Sequence, residues 1–405
     1  MTRPELLSFD DALAALMGHA SPVAQREQVP TAQAAGRVLA DDLRSSMNVP
    51  AMDNTQMDGY AVRAADVSPG RPLAVAQRIA AGQVPGPLAA GTAARIFTGA
   101  MMPVGADAVV MQEEATVDGD SVTFVAAPRP GQWIRRAGED IRAGSVVLAA
   151  GTRLSPQATG LAASVGAAAL PVYRRLRVAC FFTGNELAMP GEPLAPGAIY
   201  NSNRFVLGAL LRQFGCEVTD LGIVPDSLAA TREALRQAAA GNDLIVTSGG
   251  MSVGEEDHVR PAVQAEGELT MWSIAVKPGK PLAHGRVRAA GRPVHFIGLP
   301  GNPVSAFVTF LLFVRPFLLR LQGVAEVAPQ RLPMRAGFDW PGPDRRREFL
   351  RVRLNAAGGL DLFSNQGSGV LTSTVWGDGL VDNPPGQPIR SGETVTFLPF
   401  NGLLA

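Results

Sequence analysis

Lysine is almost missing from this 405-residue chain: 34 of its 36 basic residues are arginine, and the exceptions are Lys277 and Lys280. Cysteine is as scarce. Cys180 and Cys216 each sit inside an apolar strand-like run, which excludes a disulfide framework or a cysteine-rich zinc site and reads both as core thiols. The four histidines are scattered along the sequence, which argues against a histidine metal cluster. Net charge is absent too, with 36 acids against 36 bases, so the surface as a whole is not built for nucleic acid or anionic lipid, and any anion-binding power must be local. No run reaches the ~20 apolar residues of a membrane span. The most apolar stretch, 304–314, reads as a buried helix. Residues 1–11 carry acids where a secretory leader needs a basic and then an apolar run, which predicts a cytoplasmic protein.

What is present is concentrated. The two lysines lie three residues apart in Val276-Lys-Pro-Gly-Lys-Pro281, in a chain that uses arginine everywhere else. Arginine offers a planar fork, whereas lysine offers a compact rotatable ammonium, the better partner for a tetrahedral oxyanion approached as a point charge.

Length predicts several domains. Residues 8–44 read as two helices, one capped by Ser8 with Leu13, Leu16 and Met17 on one face, the other following Thr31 with Val38, Leu39 and Leu43. From 45 to 140 the pattern changes to short β-type runs broken by Gly and Pro, including 108–111 and 122–125. Ser155-Pro156 supplies an N-cap and a first-turn proline for a helix to about 165. The β-rich block thus reads as an insertion within a helical and linker domain of 1–44 and 141–175. From 176 to 325 strands (176–182, 217–224, 244–247, 269–276, 294–297) alternate with helices (202–214, 227–240, 258–264, 303–321). That alternation predicts a three-layer α/β/α domain with a parallel-type sheet and a ligand beyond the carboxyl ends of its strands. Residues 326–405 read as a separate C-terminal β domain. The fold class expected is therefore multidomain α/β plus β.

Three glycine-containing loops fall at those strand ends: Phe182-Thr-Gly-Asn-Glu-Leu187, Thr247-Ser-Gly-Gly-Met-Ser-Val-Gly254 and Leu299-Pro-Gly-Asn-Pro-Val-Ser305. Backbone N–H groups and small hydroxyls there can converge on an anion. Glu186, Asp226 and Asp257 accompany them, and carboxylates around a phosphate site suit Mg²⁺, although Asp226 and Asp257 each precede a helix and read equally well as N-caps. Gly250–Gly254 also matches Gly-x-Ser-x-Gly, but Ser252 lies five residues past Thr247 and no histidine has a telling context, which disfavours a serine hydrolase. In the last domain, Arg345-Arg-Arg-Glu-Phe-Leu-Arg351 and Gly367-Ser-Gly-Val-Leu-Thr-Ser373 suit oxyanion capture.

Taken in order, Met57-Asp-Gly-Tyr-Ala-Val62, Phe97-Thr-Gly-Ala100, Arg136-Ala-Gly-Glu-Asp-Ile141, Thr183-Gly-Asn-Glu-Leu187, Ser248-Gly-Gly-Met-Ser-Val-Gly254, Lys277-Pro-Gly-Lys-Pro281, Leu299-Pro-Gly-Asn-Pro-Val-Ser305 and Gly367-Ser-Gly369 resemble the molybdopterin molybdenumtransferase family, which includes the E domain of gephyrin. The resemblance spans nearly the whole chain. It implies an elongated homodimer with a cleft between the α/β domain of one subunit and the β domains of the other, and insertion of molybdate into adenylylated molybdopterin with Mg²⁺ and release of AMP. It places catalytic positions at Asp58, Thr98, Asp140, Glu186, Asp226 and Asp257, the last three being the metal candidates. Molybdate or substrate contacts are implied at Lys277, Lys280, Ser248, Gly249, Gly250, Ser305, Arg351 and Ser373. Further partners it suggests are the molybdopterin adenylyltransferase and molybdoenzymes or their chaperones, with no nucleic acid and no membrane. A scaffold without chemistry and a molybdopterin adenylyltransferase are the competing readings. Asn185 stands where the family usually has Asp, and Val375-Trp-Gly-Asp-Gly-Leu380 replaces its usual Ala-Asn-Gly-Leu.

Overall fold

A computed structural model describes residues 6–23, 25–251, 258–289 and 291–404. The first helix, Phe9–Met17, begins where Ser8 accepts the Asp11 amide, as its N-cap position predicts. The second expected helix is not formed. Arg26–Pro30 is instead a strand, Thr31–Gln33 a short 3₁₀ turn, and Val38, Leu39 and Leu43 make bridges or strand pairs with Arg153, Val172 and Leu148. Their helical spacing is overridden because segment 146–173 offers them backbone partners, and Leu39 and Leu43 a shared core with Leu154 and Leu170. The helix Pro156–Ser164 starts as expected, with the Ser155 hydroxyl accepting the Ala158 amide. Strand Arg26–Pro30 pairs antiparallel with Ala169–Tyr173, so residues before and after the inserted block are laced together.

The inserted block is built on a six-stranded sheet in the order Ala108–Met111, Gly59–Val62, Thr92–Ile96, Leu73–Ile79, Ser121–Phe124, Ala115–Asp118, with a small pair Asn54–Thr55 and Ile134–Arg135 beside it. Hydrogen bonds at its base run to Ile141, Ala143 and Ser145.

The α/β domain carries a six-stranded sheet in the order Glu217–Val224, Arg177–Thr183, Leu244–Ser248, Val294–Leu299, Pro281–Val287, Gly267–Ser273. The first four strands are parallel; helices Ser202–Gln213 and Leu228–Ala239 pack on them, and Val259–Glu266 packs on the last two strands. Strand Pro281–Val287, which the sequence pattern did not suggest, runs antiparallel to both neighbours. The expected strand 269–276 is cut short: Gly267–Ser273 stays in this sheet, while Val276–Lys277 leaves it and pairs in parallel with Arg347–Leu354 of the C-terminal domain. A continuous helical segment, Pro303–Leu321, with a π-helical turn at Phe310–Val314, is long and apolar enough to cross a membrane by length and composition, but 89% of its most apolar window is buried inside the protein. It is the core helix of this domain.

The C-terminal strands close into a ring. Arg347–Leu354 pairs with Gly359–Leu362 and Gly379–Asn383, and Leu332–Ala336 and Thr394–Pro399 complete the circuit. This barrel is less separate than expected. Phe349, Leu380, Leu398 and Phe400 belong to the same buried cluster as Phe307, Phe313 and Phe317 of the core helix. The first helix also docks here rather than on segment 141–175. Phe9 lies 5.1 Å from Phe313 and 5.5 Å from Phe349, ring to ring, and Arg347 stacks over it.

Candidate functional site

Strands Arg177–Thr183, Leu244–Ser248 and Val294–Leu299 are adjacent and parallel, so the loops at their carboxyl ends meet. Glycine lets them meet closely: a Cβ on Gly249 would strike the Thr183 carbonyl, and Gly250, at φ +60°, faces Val259. Ser248 is buried, its hydroxyl donating to the Pro300 carbonyl (2.8 Å) and accepting from Asn203 Nδ2 (2.7 Å). Asn203 also donates to the Gly301 carbonyl, so it ties two of the three loops together. No motif singled it out; its place two residues into a helix, after the Asn201 cap, was the available signal.

Asp226 accepts a hydrogen bond from the Thr183 hydroxyl (3.1 Å). It does not cap the helix that follows: Ser227 does, by accepting the Ala230 amide. The cap reading is thereby removed for Asp226. Glu186 is exposed, in the turn closed by the Leu187 amide on the Gly184 carbonyl. Asp257 and Ser252 lie outside the described residues. Among the described residues no three His, Cys, Asp or Glu side chains form a metal-binding group.

The lysine turn presses on the start of the core helix. Gly279, at φ +113°, sits where a Cβ would collide with Thr309 Oγ1 and lie 3.6 Å from the Ser305 carbonyl. Lys280 is exposed and Lys277 half-exposed, with Glu348 and Asp344 of the barrel beside its ammonium. A second barrel segment reaches the same helix, since the Val304 amide donates to the Ser368 carbonyl (3.0 Å). Behind that segment Arg351 is 1% exposed. Its guanidinium donates to Ser373 Oγ (3.1 Å), to the Gly367 carbonyl (3.1 Å) and, at longer range, to the carbonyls of Phe349 and Asn365. Burial pulls its pKa down to about 10. The structure therefore brings Ser248, Gly249, Gly250, Lys277, Lys280, Ser305, Arg351 and Ser373 into one joint, with Thr183 and Asp226 at its edge. Two other arginines of that run are held by acids: Arg346 by Asp344, and Arg347 by Asp382 and Asp10.

Asp58, Thr98 and Asp140 belong to the inserted block. Thr98 donates both its amide (2.7 Å) and its hydroxyl (2.6 Å) to Asp58 Oδ1, which holds that carboxyl below its ordinary pKa. Asp140 is exposed, and the neighbouring Asp53 is held low by the Ala137 amide and by Arg136.

Two smaller expectations met different fates. Both cysteines are free and buried, their pKa values pushed up to about 12 by burial, as core thiols should be. Three of the four histidines come together in space: His19 stacks on His284 at 4.7 Å, and His284 Nε2 lies 3.4 Å from His295 Nδ1. Distance along the chain hid a pairing made by adjacent antiparallel strands.

The chain matches three family models in sequence: MoeA N-terminal region (domain I and II) over 7–166, a probable molybdopterin binding domain over 179–320, and MoeA C-terminal region (domain IV) over 333–400. It is 40% identical over 410 residues to the molybdopterin molybdenumtransferase of Haemophilus influenzae, covering 98% of this chain and 100% of that one. It is also 40% identical over 372 residues to molybdopterin molybdenumtransferase 2 of Mycobacterium tuberculosis, covering 88% and 90%. The crystal structure of a molybdopterin biosynthesis moeA protein from Pyrococcus horikoshii superposes with a TM-score of 0.85 at 29% identity, covering 98% of this chain and 100% of that one. With full-length identity at this level and all three regions in order, the chain belongs to the molybdopterin molybdenumtransferase family.

Proposed function

We infer that this protein is a molybdopterin molybdenumtransferase, inserting molybdate into the dithiolene of adenylylated molybdopterin with cleavage of the phosphoanhydride and release of AMP. The observation that carries this reading is the placement of the only two lysines. Their turn lies against the start of the helix Pro303–Leu321, beside the glycine loops at three parallel strand ends. A compact ammonium there can meet a tetrahedral oxyanion, and backbone N–H groups of the loops can meet phosphate oxygens.

Mg²⁺ is part of the proposal. The donors at the strand ends, Asp226, Glu186 and the Thr183 hydroxyl, are all oxygens, and two carboxylates fit an ion that Mg²⁺-type sites usually share with substrate phosphates and water. Asp226 and Glu186 would hold it, and when bound it would neutralise charge on the phosphoanhydride. The protein's own side chains do the rest: Lys277 and Lys280 attract molybdate, Ser248 and Asn203 fix the loops, and Asp58 with Thr98 presents an ionised carboxylate.

Among the described residues Asp58, Thr98 and Asp140 make no hydrogen bond to the strand-end loops or the lysine turn, and in this reading a second copy of the chain brings them there. A cytoplasmic homodimer is the form proposed. Two measurements test this. Lys277→Ala should abolish molybdate-dependent AMP release from adenylylated molybdopterin, and unchanged release would refute the site. Chains carrying Asp58→Ala and Lys277→Ala, each inactive, should regain about a quarter of wild-type activity on mixing if each cleft draws on two subunits. ATP consumption in place of AMP release would instead identify an adenylyltransferase.

A further inference from the structure

Lys277 is not left to find its own position. Its Nζ lies 3.2 Å from Glu348 Oε1 and 3.6 Å from Asp344 Oδ2, both on the barrel. Glu348 is 1% exposed, and its other oxygen accepts the Trp340 indole N–H (2.7 Å) and the Asp344 amide (3.1 Å). Asp344 is gripped in turn by Arg346, through Nη2 at 2.8 Å and Nε at 3.0 Å. The backbones of Lys277 and Glu348 are registered opposite each other. A buried carboxylate with donors on both oxygens is rigid, whereas a lysine on its four-carbon stem is not.

We propose that Glu348, braced by Trp340, is a positioning residue for the oxyanion site, holding the Lys277 ammonium at one point of the joint so that its remaining donors meet the tetrahedral substrate. This rests on the reading that Lys277 binds molybdate. The arrangement has a distinctive consequence. Glu348 carries the same sign of charge as the oxyanion, so it opposes ground-state binding while it fixes the lysine. Removing its charge should free the ammonium without weakening attraction for molybdate, so turnover and affinity move apart. A residue needed only for folding would not produce that split.

The experiment is steady-state AMP release against molybdate concentration with the full-length protein, alongside thermal melting. Glu348→Gln, which keeps the shape and can still accept from Trp340, should lower kcat about tenfold with KM for molybdate unchanged or reduced. Trp340→Phe keeps an aromatic ring and removes the brace, and should shift kcat the same way by about threefold. If Glu348→Gln does not fold, Trp340→Phe decides. A normal kcat in the variants, or a raised KM for molybdate at normal kcat, overturns the positioning role provided Lys277→Ala abolishes turnover. Full turnover in Lys277→Ala overturns the underlying reading as well.

Discussion

Lys277 and Arg351 are both cations at the joint between the α/β domain and the barrel, yet the first is 39% exposed beside two carboxylates, whereas the second is 1% exposed against carbonyls and a hydroxyl. The difference separates two jobs. Carboxylates hold a mobile ammonium where solvent and substrate can still reach it. Carbonyls consume the donors of a buried guanidinium and in doing so shape a loop: segment 365–373 wraps Arg351, and the Ser368 carbonyl within it accepts the Val304 amide of the core helix. On the proposed function Lys277 would line the site, and Arg351 with Ser373 would shape the segment behind it.

That contrast can be broken by exchanging the chemistry. Lys277→Arg preserves charge but introduces a planar fork that matches Glu348 and Asp344 together, drawing the cation into the acids and away from the cleft. Turnover should fall about 100-fold or more while thermal stability is kept, and an active Lys277→Arg enzyme would end the argument that a compact ammonium is required. Next in size, Arg351→Met removes a desolvated charge but takes the guanidinium donors from the Asn365 and Gly367 carbonyls and from Ser373 Oγ, the last two keeping only the Val370 amide and carbonyl as partners. The net loss should be about 2–3 kcal/mol in urea unfolding, with turnover per folded molecule reduced less than in Lys277→Arg. Equal loss of turnover in the two variants would show that both cations meet substrate.

Much of this was legible locally. Ser8 and Ser155 cap helices as their neighbours dictate, the four parallel strands fall at the apolar runs, and the lysine pair stands out by composition alone. The misreadings share one cause, partners supplied from far along the chain. Val38, Leu39 and Leu43 have helical spacing but are claimed by 148–172, and Phe9 is claimed by the core helix and barrel over 300 residues away. Pro281–Val287 carries a proline, a histidine and a glycine among its apolar residues, and only the two strands flanking it make it one. Glu348 looked like one acid in an arginine run; its burial and its lysine depend on Val276–Lys277 leaving one sheet for another.

Acidification sharpens the comparison with the smallest expected effect on the joint itself. Arg346, through its hydrogen bonds, holds the Asp344 carboxyl well below the usual carboxylate range. The stability contributed by that ionised form is present above the unfolded value of 3.8 and is lost only as pH falls through the lower folded value, so Asp344 stays charged beside Lys277 at pH 5. The histidine cluster behaves otherwise. Burial, with the nearby His19, Arg286 and the second histidine of the strand pair, lowers His284 to about 3, and burial with Arg286, His19 and Arg292 lowers His295 to about 4. Both are neutral in the folded protein while the unfolded chain takes up protons below about 6.5, so their contribution is intact above that pH and erodes as pH falls toward 4. Between pH 7.5 and 5 wild type should lose about 2 kcal/mol from His284 alone. His284→Gln should flatten that slope in denaturant titrations while leaving KM for molybdate at pH 7.5 unchanged. An undiminished slope would move the acid sensitivity to other groups, and a raised KM would mean that the cluster communicates with the lysine joint.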